Sequence, residues 1–61
     1  MMNPEILRRQ VRNLVSLPEN DSRKLGLLQG ATETVNAYFD RNEITIAVRD
    51  ELLALISAER N

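Results

Sequence analysis

The sequence contains no cysteine, no histidine and no tryptophan, and only two glycines, two prolines, one tyrosine and one phenylalanine. Without cysteine there is no disulfide, and without cysteine or histidine the usual zinc sites lack their ligands. The same absence removes the side chains most used for acid–base and nucleophilic catalysis near neutral pH. So few glycines and prolines argue against an all-β chain of short strands and turns. No apolar run approaches the ~20 residues of a membrane-spanning helix. No basic segment followed by an apolar stretch marks a secretory signal. Eight basic side chains stand against nine acidic ones, a net charge of −1, so the overall balance demands neither nucleic acid nor membrane. The expectation is a cytoplasmic, non-enzymatic protein with no cofactor and no metal.

Sixty-one residues make a single domain, 1–61, smaller than a self-sufficient core prefers. Chains of this size usually gain stability from disulfides, a metal or a partner subunit. With the first two excluded, self-association remains, and the composition leaves an aliphatic core. The expected fold is all-α, a two- to three-helix hairpin forming a homodimeric helical bundle.

Three helical patterns carry this expectation. Asn3, Pro4 and Glu5 read as an N-cap, a proline at the first helical position and an acidic first turn. The helix that follows, about 4–16, carries Ile6, Leu7, Val11, Leu14, Val15 and Leu17 over half its circumference. Pro18 ends it, because the residue before proline avoids the α region. Glu19, Asn20, Asp21 and Ser22 form a turn, and Asp21 or Ser22 caps a second helix at about 22–40. A rival start has Ser16 capping and Glu19 completing a capping box.

In the second helix Leu25, Leu28, Thr32, Val35 and Phe39 fall at 3-4-3-4 spacing, a heptad-like seam. Gly26 and Gly30 lie one turn apart on its flank, continuing to Thr34 and Ala37. They are either tolerated there or form a groove of small residues for another helix. Asp40, Arg41, Asn42, Glu43 and Ile44 interrupt the pattern, and Thr45 caps a third helix, about 45–59. The short connection makes the second and third helices antiparallel. The large apolar residues of the third helix span nearly 180°, more than one neighbouring helix covers. Either the first helix folds back over the hairpin or a second subunit supplies the cover. Ile46 and Val48, where acidic residues would suit the helix dipole, point to a packed first turn. Arg60 falls on the wet side, and Asn61 is expected to fray.

Candidate functional residues are few. Asp50 and Glu51 are adjacent on a helix, so their side chains diverge by about 100° and form no carboxylate dyad. Gly26 and Gly30 are mid-helix with no preceding strand, so they make no phosphate loop. Arg8, Arg9 and Arg12 cluster on the polar side of the first helix, and Arg23 and Lys24 follow after the turn. These five are the candidate partner-binding residues. They form a solvated face, a surface for an acidic protein, or a contact to nucleic acid. Reading of DNA by the third helix is disfavoured, since Asp50, Glu51 and Glu59 would meet phosphate. Leu25, Leu28, Val35, Phe39, Val48, Leu52, Leu55 and Ile56 are the candidate core and dimer residues. Phe39 reads as core; Tyr38 is either core with a wet hydroxyl or an interface anchor.

The stretch Ala37-Tyr38-Phe39-Asp40-Arg41-Asn42-Glu43-Ile44-Thr45, followed by Asp50-Glu51-Leu52-Leu53-Ala54-Leu55-Ile56, resembles a pattern of small phage and prophage helical-hairpin proteins. In these a helix ends, a Glu-Ile-Thr turn follows and a second helix opens on the threonine. Asn42 stands where that pattern has glycine, and Ile46-Ala47-Val48 replaces its acidic run, so no functional residue carries over. The resemblance implies an all-helical, dimeric protein that binds and inhibits a host regulator or defence complex. Two alternatives stand beside it: a dimeric nucleic-acid-associated regulator using the basic first helix, and a structural subunit of a larger assembly.

Overall fold

The computed structural model describes residues 3–60, with side chains through Glu59, and contains three α-helices: α1 (Pro4–Val15), α2 (Lys24–Asp40) and α3 (Ile46–Arg60). No strand occurs among the described residues. The side chain of Arg60 and all of Asn61, expected on the wet side and frayed, lie outside the described residues. All three pairs of helices pack against one another. α1 therefore folds back over the α2–α3 hairpin of its own chain, and covers much of the wide apolar face of α3.

Local chemistry sets each boundary. The Asn3 side chain accepts a hydrogen bond from the Glu5 backbone N–H at 2.9 Å, and Pro4 opens α1. α1 stops at Ser16, whose hydroxyl donates to the Arg12 carbonyl at 2.8 Å. Ser16 thus closes one helix and does not cap the next, which removes the rival start. Two tight turns follow, closed by Asp21 N–H to the Pro18 carbonyl and Lys24 N–H to the Asp21 carbonyl. The second turn delays α2 to Lys24, two residues later than the capping pattern indicates. The Asp21 carboxylate still takes up the Arg23 backbone N–H, at 2.9 Å.

α2 ends in a left-handed stop. Asn42 has φ 59°, a region that asparagine tolerates better than most residues with a Cβ. The Asn42 N–H donates to the Phe39 carbonyl and the Glu43 N–H to the Tyr38 carbonyl, at 3.0 and 2.9 Å. This 5→2 and 6→1 pair is the Schellman arrangement. Thr45 then caps α3, its hydroxyl accepting from the Val48 N–H at 3.2 Å.

The core consists of Leu7 and Val11 from α1, Leu28 and Val35 from α2, Leu52 and Ile56 from α3, and Ile44 from the connection. Phe39, Val48, Leu55, Tyr38 and Leu14 are half-buried against it. Two apolar assignments need correction. Leu25, read as part of the seam, is 60% exposed. The buried line of α2 runs through Lys24, Leu28 and Val35, and Leu25 lies about 100° from Lys24. Ile46, expected to be packed, is 57% exposed. Ile44, treated as part of an interruption, closes that end of the bundle in its place.

Candidate protein-binding surface

The five cations singled out in the sequence do not form one face. Three of them are occupied within the chain. Arg8 leaves α1 toward α3, where Nε and Nη2 donate to the two Glu51 carboxylate oxygens at 2.8 and 3.0 Å. Its Nη1 also donates to Glu5, one turn earlier. The fork holds α1 against α3 and matches the carboxylate with two parallel bonds. Hydrogen bonding to Glu51, then to Glu5, raises the Arg8 pKa further above neutrality. The bond from Arg8 lowers that of Glu51. Arg23 folds back on Asp21, with Nη2 at 3.1 Å from Oδ2.

Lys24 requires the largest correction. Read as a surface cation available to a partner, it is only 6% exposed. Its ammonium donates to the Leu17 carbonyl at 2.8 Å, to Glu19 at 3.1 Å and to Glu59 at 2.7 Å. An ammonium has three protons to donate, and all three find an acceptor. The turn after α1, the start of α2 and the last turn of α3 therefore meet at one side chain. The bond to Glu59 is the main cause of a raised Lys24 pKa and a lowered Glu59 pKa.

Arg9 and Arg12 remain. Both are exposed on α1, and among the described residues neither makes an ion pair. Arg12 is near enough to Glu51 for its charge to add to the lowering of that carboxyl. Two further arginines lie on aromatic rings: Arg49 of α3 is 4.4 Å from the centroid of Phe39, and Arg41 is 5.0 Å from that of Tyr38. Arg49 also donates to Asp50 at 2.9 Å. Sequence reasoning missed the Arg49–Phe39 contact, because the antiparallel hairpin gives no residue-level register until the left-handed turn at Asn42 is fixed.

The surface has shallow grooves. One of about 380 Å3 at the α2–α3 connection is lined by Pro4, Phe39, Ile44, Ile46 and Val48, with Asn42, Glu43 and Thr45 at its polar edge. A smaller one, about 140 Å3, lies between α1 and α2 over Leu7, Val11, Leu14 and Ala31, with Gln10 and Thr34 as its rim. Among the described residues, Ile6, Leu25, Leu27 and Ile46 are the large aliphatic side chains left exposed. No group of three or more acidic, cysteine or histidine side chains suited to a metal ion occurs among the described residues. Nor is any helix of the described residues long and apolar enough to cross a membrane. Compared with protein-family models, curated proteins and solved structures, the chain matches none.

Proposed function

We propose that this chain is a small non-enzymatic binding module that acts as a dimer by covering a surface on another protein. The resemblance of residues 37–56 to phage helical hairpins makes that partner a host protein, and the action steric occlusion. One observation carries the reading: Arg9 and Arg12 are exposed on α1 without an ion-pair partner among the described residues, while Arg8, Arg23 and Lys24 are paired within the chain. An exposed charge with no ion-pair partner among the described residues favours docking to a surface of opposite sign and fixes its orientation. The partner's surface is therefore acidic, and the contact narrows from five cations to two.

The test is capture from a bacterial lysate with the native chain, with Arg9→Glu/Arg12→Glu, and with Arg23→Ala as a control. The double variant should lose a protein that the native chain and the control retain, while helicity and size stay unchanged. Equal recovery on the double variant would discard the arginine assignment. Binding to duplex DNA that weakens steeply with salt would favour the nucleic-acid regulator instead.

A further inference from the structure

We infer that Glu51 makes an autoinhibitory contact. It occupies Arg8 from within the chain, and a carboxylate of the acidic partner displaces it, so that the docking face becomes Arg8, Arg9 and Arg12 together. The inference rests on the reading of Arg9 and Arg12 given above and adds the regulation of that same face. On α1 the three side chains lie within little more than one turn and spread over about 100° of the helix. Arg9 and Arg12 are exposed. Arg8 is held by a residue forty-three positions away, its Nε and Nη2 donating to the two Glu51 oxygens at 2.8 and 3.0 Å.

The pair is placed for exchange. The Arg8 and Glu51 side chains remain 24% and 41% exposed, so a second carboxylate can reach the guanidinium from solvent. An ion pair in that setting is a weak hold. A carboxylate from the partner remakes the same two parallel bonds that Glu51 gives up. No charge is stranded in the interior, because Glu51 turns outward into water. Glu5 keeps its bond from Nη1 and steadies the guanidinium at the surface of α1 while the other two nitrogens change partner.

Charge gives the contact its effect. Arg8 and Arg12 stand four residues apart, where like charges on neighbouring turns repel. Glu51 relieves that repulsion in the free chain: Arg8 binds it directly, and the charge of Arg12 adds to the lowering of its carboxyl. The same carboxylate weakens the attraction that the arginines offer to an acidic surface. While Glu51 lies on Arg8, two carboxylates stand against three guanidiniums; once it swings away, Glu5 alone remains beside them. Burial keeps α1 seated during the exchange, since Leu7 and Val11 share one core with Leu52 and Ile56.

Binding of dye-labelled poly-L-glutamate to the full chain at low salt, followed by fluorescence anisotropy, tests the inference, with helicity checked by circular dichroism. The native chain should bind, and Arg9→Gln/Arg12→Gln should bind roughly fivefold or more weakly, about one close charge pair in water. Glu51→Gln should bind roughly fivefold more tightly than native on the same scale. That gain should shrink below about twofold when Glu51→Gln is measured against Arg8→Gln in a chain that carries Arg8→Gln. Asp50→Asn, which removes the same charge from the neighbouring position, should stay within about twofold of native. No gain with Glu51→Gln, a gain that persists without Arg8, or an equal gain with Asp50→Asn would overturn the autoinhibitory contact and leave the two-arginine face standing. A native chain that does not bind, or that binds equally without Arg9 and Arg12, would overturn the acidic-partner reading and this inference with it.

Discussion

At Asn42 one backbone angle decides where α2 ends. The left-handed conformation costs a residue with a Cβ up to 1–2 kcal/mol, less for asparagine, and glycine nothing. Asn42→Gly should therefore raise the unfolding free energy by up to about 1 kcal/mol in urea melts. Asn42→Val should lower it by about 1–2 kcal/mol, because a β-branched side chain fits that region worst. Gly26 invites the opposite change. A Cβ there meets open space, so Gly26→Ala should stabilise the dilute chain by about 1 kcal/mol through helix propensity alone. A measured loss would mean that the helix is not formed at that position in solution.

Each helix was legible in the sequence because its boundaries rest on local chemistry. Asn3-Pro4-Glu5, Pro18 and Thr45 act over a few residues, and the observed ends fall within two residues of where they place them. The orientation of α2 about its axis was less legible. The 3-4-3-4 seam from Leu25 to Phe39 and the buried line from Lys24 through Val35 share Leu28 and Val35, and they differ in the first turn. A lysine in that turn reads as surface. It is buried here because Glu59, thirty-five positions away, reaches it, and no local pattern announces such a partner. The arginine cluster fails for the same reason: Arg8 is indistinguishable from Arg9 until Glu51 is seen beside it.

That cluster of ion pairs makes the joining of helices sensitive to acid. Glu51 and Glu59 have pKa values lowered by Arg8 and Lys24. Their contributions are full above the unfolded carboxyl value and vanish as pH falls through the folded one. Lys24 is shifted upward, so its share is complete at neutral pH and is lost only in strong alkali. Thermal melts should thus lose stability below about pH 4, the ordinary glutamate range. Glu59→Gln should be less stable than native at pH 7, and the two should converge in acid. Parallel curves would mean that the Lys24–Glu59 bond contributes nothing.

On the scale of the whole molecule, seven buried apolar side chains among the described residues, drawn from three helices and one connection, hold the fold. A chain of this length has a total stability of only about 3–9 kcal/mol. Emptying one central position costs about 2–5 kcal/mol. Leu52→Ala should therefore leave a large unfolded fraction at 25 °C by circular dichroism, and Leu25→Ala should change stability by less than about 0.5 kcal/mol. The contrast separates two leucines that sequence alone had grouped together. It also shows why packing within the chain was not predictable: the pattern counts apolar residues, but whether α1 covers α3 of its own chain depends on the 16–23 turn and on Arg8.

Tyr38 gives the bundle a built-in optical reporter. With one tyrosine and no tryptophan in the sequence, the intrinsic fluorescence of the chain comes from a single phenol ring. That ring is half-buried against the core, with the Arg41 guanidinium over one face. Its emission therefore follows the release of the α2 C-terminus specifically, while the far-ultraviolet signal averages all three helices. If the two traces superimpose on heating, the molecule melts as one unit; if the fluorescence moves first, the hairpin opens at its turn before the helices are lost.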